Sequence, residues 1–200
     1  MKLYYFKNAC SLAVRIVANA LEIPLEYEAI TQLQVKEKTT ESGVLLSTIS
    51  PKNQVPVLVL EGGEILTEVS AILIYLWEMK KTLESPQKYR VLEWLSFCTS
   101  ELHKNFVPII SPIIPAEAKP VFTKLFLHKL KYVESYLKNR NYLVGDEFSP
   151  ADSYLFTILS WLFIIKIPMS DFPEIDRFFQ GLTRLPFVAK SLTEENIKIS

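Results

Sequence analysis

The chain has 200 residues, 49% of them hydrophobic and 22% charged, the balance of an ordinary globular protein with room for one large domain or two small ones. Lys plus Arg and Asp plus Glu number 22 each, so no global basic field exists to attract nucleic acid as a partner. Two cysteines, Cys10 and Cys98, do not make a disulfide-stapled secreted design. The aromatic start Met1-Lys2-Leu3-Tyr4-Tyr5-Phe6 is too short for a signal peptide and has no cleavage pattern. The apolar run Ile158 to Ile167, broken by Ser160 and Lys166 and ended by Pro168, is too short to span a bilayer. A cytoplasmic protein without a membrane partner is expected.

Lys2 to Phe6 reads as a strand. Ser11 to Leu21 reads as a helix, with Leu12, Ile16 and Ala20 one turn apart. Leu25 to Ile30 reads as a second strand, and the polar stretch from Thr31 to Ser50 as loop with a short helix. Val57 to Leu60, then Glu61-Gly62-Gly63-Glu64, then Ile65 to Thr67 is a hairpin pattern. Glu68 to Met79 is a helix with Ala71, Ile72, Tyr75 and Leu76 on one face. This order predicts a small sheet with helices packed on it. Its first two strands are parallel, joined by a right-handed crossover.

Thr82 to Ser85 reads as a linker. Beyond it the pattern is helical: Pro86 to about Ile110, Lys119 to Lys138, Pro150 to Ile165 and Phe172 to Leu182, with no convincing strand. A mixed α+β module over residues 1–80 and an all-α module over 86–200 are expected.

Cys10 stands where the first strand gives way to the first helix. A thiol there lies against the positive end of a helix dipole, which lowers its pKa and favours thiolate; equally, Cys is a common core residue. In Val55-Pro56-Val57 the proline is either an ordinary trans residue opening a strand, the favoured reading, or a cis turn that leaves the Val55 backbone groups free for a peptide-like ligand. Thr67 can cap the helix that follows. Glu68 can then accept an ammonium group beside the free N–H groups of the first turn, or the pair is simply a helix entry with an acidic first turn. His103 and Lys104 offer a titratable group and a fixed cation, or a solvated helix face. Ser149-Pro150-Ala151-Asp152 is a capping box. Tyr154, Phe156, Trp161, Leu162 and Phe163 read as core, Cys98 as an inert core thiol, and Trp161 alternatively as pocket lining. His103 and His128 are not paired with cysteines at zinc spacing, so no metal is expected.

Taken together, the stretches Met1-Lys2-Leu3-Tyr4-Tyr5…Ala9-Cys10-Ser11-Leu12-Ala13, Gln54-Val55-Pro56, Thr67-Glu68, Glu101-Leu102-His103-Lys104 and Ser149-Pro150-Ala151-Asp152 resemble the cytosolic glutathione transferases, most closely the bacterial beta class. The resemblance runs over essentially the whole chain. It implies a thioredoxin-like N-terminal domain that binds glutathione, an all-helical C-terminal domain with a hydrophobic electrophile site, and a homodimer. Glutathione is then a co-substrate and no further cofactor is implied.

By the same resemblance, Val55 pairs with the cysteinyl backbone of glutathione at the Gln54–Pro56 turn. Glu68 and the Val69 backbone hold the γ-glutamyl head, and Lys38 (or Lys36) meets the glycyl carboxylate. Cys10 lies beside the glutathione sulfur, with Tyr5 and Ser11 as secondary candidates, and His103 and Lys104 approach from the helical domain. Two departures stand out: Lys7-Asn8 occupies the place of a common Pro-Gly, and Val69 that of a common Ser or Gly. The expected activity is conjugation of the glutathione thiol to hydrophobic electrophiles. The alternatives are disulfide reduction or peroxidase chemistry through Cys10, and a non-catalytic ligand-carrying or interaction module on the same fold.

Overall fold

The computed structural model describes residues 1–33 and 36–199. Gln34 and Val35 of the expected loop, and Ser200 at the end of the expected helical module, lie outside the described residues. The chain divides into two compact units, one formed by Met1–Thr82 together with Pro186–Lys198, the other by Leu83–Leu185 with Ile199.

The first unit is built on four strands, β1 (Lys2–Tyr5), β2 (Glu26–Ala29), β3 (Val57–Val59) and β4 (Ile65–Thr67), in the order β2-β1-β3-β4. β1 and β2 are parallel, with Leu3 opposite Tyr27, as the crossover argument requires. β3 runs antiparallel to β1 and forms the expected hairpin with β4. Gly63 turns that hairpin at φ 84°, in the left-handed region where glycine lacks the Cβ penalty, and its N–H donates to the Leu60 carbonyl at 2.9 Å.

Helices α1 (Ser11–Ala20) and α3 (Val69–Glu78) pack on each other, burying Leu12, Ile16, Ile72 and Leu76 completely. α2 (Leu46–Ile49) is a single turn. Its Leu46 joins Ile30 and Val57 in a second apolar cluster flanked by Tyr4, Phe6 and Val55. Tyr4 flanks this cluster, while its completely buried neighbour Leu3 faces the other side of the sheet, as alternation along a strand requires.

The second unit holds α4 (Gln87–Phe97), a π-helical turn (Cys98–His103), α5 (Lys104–Ile110), α6 (Lys119–Leu137), α7 (Pro150–Ser160) and α8 (Pro173–Thr183). Every residue of α7 is buried, so this helix is the centre of the unit, and its all-round burial is what its composition requires. The capping box forms as expected. Asp152 accepts the Ser149 N–H at 2.8 Å and the Ser149 hydroxyl at 2.7 Å, and its other oxygen takes the Leu143 N–H at 2.7 Å.

Three expectations need correction. α7 ends at Ser160 instead of Ile165, because the chain tightens into turns with Leu162 N–H donating to the Leu159 carbonyl at 3.0 Å. Phe163, expected in the core, lies in that turn and is 38% exposed. No helix is expected after Leu182, yet α9 (Pro186–Glu194) forms and packs on α1 in the first unit. The helical module taken as 86–200 therefore returns its last segment to the first unit.

The reason is a buried charge. Arg15 on α1 is 3% exposed. Its Nε donates to Glu195 at 3.1 Å and its Nη1 to Glu194 at 3.2 Å, while its guanidinium lies 3.6 Å from the centre of the Tyr27 ring. A desolvated guanidinium demands such partners, and they come from the far end of the chain.

Candidate active site

In the first unit, Cys10 occupies the position just before α1, as expected, but its thiol does not behave as expected. It is 8% exposed, and burial pushes its pKa up to about 12, against smaller opposing effects of the Cys10 and Ser11 backbone N–H groups. Desolvation outweighs the helix terminus here, because burial disfavours the charged form. The thiol donates to the Val55 carbonyl at 3.6 Å. Cys10 and the Gln54–Pro56 turn, far apart in sequence, are thereby brought together.

Val55 stands just before β3, outside the strand ladder, and its N–H makes no hydrogen bond among the described residues. The Val55–Pro56 peptide is cis, against the favoured trans reading. Gln54 beside it is exposed and Pro56 buried.

Ser11 is completely buried. Its hydroxyl donates to the Phe6 carbonyl at 3.1 Å and accepts the Phe6 N–H at 3.3 Å. Both hydrogen bonds close the Phe6–Ser11 loop, so the side chain shapes the turn that carries Cys10. The loop is also tied from outside. Asn8 sits at φ 56°, a left-handed conformation that Asn tolerates better than most residues and Gly adopts freely, and its N–H donates to Glu195 at 2.9 Å. Tyr5 packs edge-on against Tyr27 and lies 4.7 Å from the Arg15 guanidinium. Burial raises its pKa in spite of that cation, so the ring is a neutral member of the Arg15 stack.

Glu68 precedes α3 at φ 71°, and neither it nor Thr67 caps the helix through a side chain, which corrects the expected Thr67 cap. A non-glycine residue held in the left-handed region is strained, and such strain gathers at functional sites. The exposed Glu68 carboxylate pairs with Lys52 Nζ at 2.6 Å. Lys52 was not singled out in the sequence, where sixteen positions separate the two and no motif links them. Val69, first in α3, is buried at 6% exposure. Lys38 is half-buried, and its carbonyl accepts the Leu46 N–H at 2.7 Å. The neighbouring Lys36 carbonyl accepts from Asn53 Nδ2 at 2.9 Å, which draws this segment toward the Gln54–Pro56 turn.

In the second unit, His103 closes the π-helical turn and the exposed Lys104 follows it. Such widened turns are frequent at functional sites. His103 is not on a solvated face. Its Nδ1 is 2.8 Å from the Tyr154 hydroxyl, and its ring centre lies 4.9 Å from that of Trp161. Burial, and then the Lys104 charge, lower its pKa to about 4, so it is neutral at neutral pH. Tyr154, which the sequence marked only as core, is thus the partner of a candidate catalytic group. Trp161 is buried, as the core reading has it, and its contact with His103 joins that core to the site. Cys98 is completely buried and its pKa is raised by burial, in keeping with an inert thiol.

The family descriptions "Glutathione S-transferase, N-terminal domain" and "Glutathione S-transferase, C-terminal domain" match residues 9–79 and 97–186. Among similar proteins, the glutathione S-transferase GstA of Escherichia coli O157:H7 is 34% identical, the match covering 99% of this chain and 100% of that protein. A sphingomonad glutathione S-transferase solved in complex with glutathione superposes with a TM-score of 0.92 at 33% identity, covering 99% of this chain and 100% of the other. A beta-class transferase of Sphingomonas chungbukensis does so with a TM-score of 0.93 at 31% identity and the same coverage. With both halves matched in order and such similarity over nearly its full length, the chain belongs to the glutathione S-transferase family.

Proposed function

We propose that this protein conjugates the thiol of glutathione to hydrophobic electrophiles. The glutathione sulfur loses its proton to solvent and attacks an electrophilic carbon, the bond to the leaving group breaks, and the leaving group departs with the electron pair, balanced by that proton as HX. The observation that carries this reading is the open Val55 N–H beside Cys10. An extended cysteinyl backbone pairs there as an added strand would, and its sulfur then lies near the Cys10 thiol. Glu68 receives the α-ammonium group, displacing Lys52, and the Val69 backbone and Gln54 complete the γ-glutamyl side. Lys38 meets the glycyl carboxylate.

Conjugation fits the Cys10 environment better than covalent chemistry through Cys10 does. A thiol pushed up to about 12 is a poor nucleophile at neutral pH, so the reacting thiolate is that of glutathione, with Cys10 a hydrogen-bonding neighbour. His103, neutral at neutral pH, is the uncharged hydrogen-bonding group that the resemblance assigns to this chemistry, with Lys104 beside it in sequence. Glutathione is the co-substrate, and the reaction calls for no further cofactor.

We further infer a homodimer. Tyr89 on α4 is 66% exposed, and Tyr132 and Leu125 on α6 are 53% and 45% exposed, apolar surface fit for a second copy. No described helix is long and apolar enough to cross a membrane, and two free cysteines suit the reducing cytoplasm. The test is turnover of a halogenated nitrobenzene with glutathione, followed by absorbance of the thioether. Saturable, glutathione-dependent turnover is expected. Its absence across a broad panel of electrophiles would leave the non-catalytic alternative.

A further inference from the structure

The second unit carries a groove of about 660 Å³ that none of the preceding chemistry uses. It runs along the outer face of α6 and is closed on one side by Phe172. Its lining includes Lys119, Lys124, Lys131 and His128, with Leu127 between the cations and no carboxylate. Lys124, Leu127, His128 and Lys131 follow the i, i+3, i+4, i+7 spacing of one helix face, and Lys119 lines the groove at the start of the helix.

Acidic side chains on the same helix and its neighbours are engaged elsewhere. Glu134 takes the N–H groups of Glu174 and Ile175 at 2.9 and 2.8 Å, and Glu101 pairs with Lys129 on another face at 2.6 Å. Among the described residues, the three groove lysines have no ion pair. Glu117 and Asp171 adjoin the groove in sequence but do not line it.

Shape limits the occupant. From Lys119 to Lys131 the helix rises roughly 18 Å. An 18 Å length matches five or six extended residues at about 3.3 Å each. Cations along the whole length call for several negative charges spread along the ligand, which a compact monoanion does not have. Apolar Leu127 and Phe172 between and beside the cations call for apolar groups among the charges.

We propose that this groove docks an extended acidic peptide segment of a partner protein, with carboxylates on Lys119, Lys124 and Lys131 and apolar side chains against Leu127 and Phe172. The site is independent of glutathione chemistry, because no candidate catalytic or glutathione-binding residue lines it.

The test is fluorescence anisotropy of a labelled octapeptide of alternating Glu and Leu, titrated with the full chain. Saturable binding is expected at low ionic strength, weakening as salt shortens the Debye length from about 30 Å to about 8 Å. The double variant Lys124→Glu, Lys131→Glu should weaken it at least about tenfold while the Tm stays unchanged; both side chains are exposed. Lys124→Gln alone should give a partial loss and serves if the double variant is unstable. Absence of saturable binding, or binding indifferent to charge reversal, overturns the proposal. So does equal binding of a single-stranded oligonucleotide of the same charge, since the groove would then attract any polyanion.

Discussion

Glu195 and Asn8, 187 positions apart, meet in a hydrogen bond of 2.9 Å between carboxylate and backbone N–H. The same carboxylate, raised in pKa by its burial, also neutralises Arg15. The loop that carries Cys10 is therefore held from the far end of the chain. Glu195→Ala should destabilise the protein by about 3 kcal/mol, because it leaves a buried guanidinium short of a counter-charge. Urea unfolding measures this, and a loss under about 0.5 kcal/mol would mean that Glu194 alone suffices for Arg15.

Glu68 and Lys52 should separate binding from stability. Both side chains are about half exposed or more, at 63% and 49%, so their ion pair contributes at most about 1 kcal/mol. Glu68→Gln should leave the Tm nearly unchanged. It should raise the glutathione KM roughly tenfold or more, the loss expected when a charged hydrogen bond is removed. Lys52→Met should lower KM, because the ligand ammonium no longer competes with Nζ. A KM unmoved by Glu68→Gln would place the γ-glutamyl group elsewhere.

Cys10 should remain a thiol through the physiological range. With its pKa pushed up to about 12 by burial, ultraviolet absorbance of free enzyme should show no thiolate titrating below about pH 10 once Cys10→Ala is subtracted. A Cys10 titration near neutrality would restore the covalent route.

His103 should make stability depend on pH. Its pKa falls from 6.5 to about 4 because burial, and then Lys104, disfavour the cation. The unfolded chain binds the proton more readily, so this contribution is complete above pH 6.5 and is lost as pH falls toward 4, up to about 3 kcal/mol. Asp152 acts in the opposite sense. Burial raises its pKa from 3.8 to about 6, so its ionisation weakens the fold as pH rises through that window. His103→Asn should flatten the acid-side loss of Tm between pH 6.5 and 4. Tyr154→Phe should leave Nδ1 short of a partner and lower stability by about 1–3 kcal/mol, and nitrogen NMR of the imidazole should report the change in its tautomer balance.

Asp152→Ala removes three buried acceptor contacts at the start of α7. A loss of about 2–4 kcal/mol is expected, read as a lower urea midpoint. An unchanged midpoint would show that the Leu143 segment and the cap reorganise without it.

The sheet, the hairpin and the main helices were legible because each follows a local period or turn chemistry. The five-residue overrun of α7 and the placement of Phe163 show where a period alone misleads. The apolar pattern continues past Ser160, but the hydrogen bonding changes to turns. Cys10 was found from its position before α1, whereas the direction of its pKa depended on burial, which no local pattern encodes. Lys52 and Glu195 carry no local signal, and Tyr154 reads only as core, for the same reason: each acquires its role from a partner 16, 180 or 51 positions away.

The return of α9 to the first unit has a consequence for biosynthesis. A ribosome makes β1 to α3 long before Glu194 and Glu195 emerge, so through most of translation Arg15 has no carboxylate from the C-terminus to meet it. Domains generally fold as they are made, N-terminal first, but this one finishes only after α9 and Glu195 have been made. Premature termination anywhere before α9 would therefore damage the unit that was synthesised first.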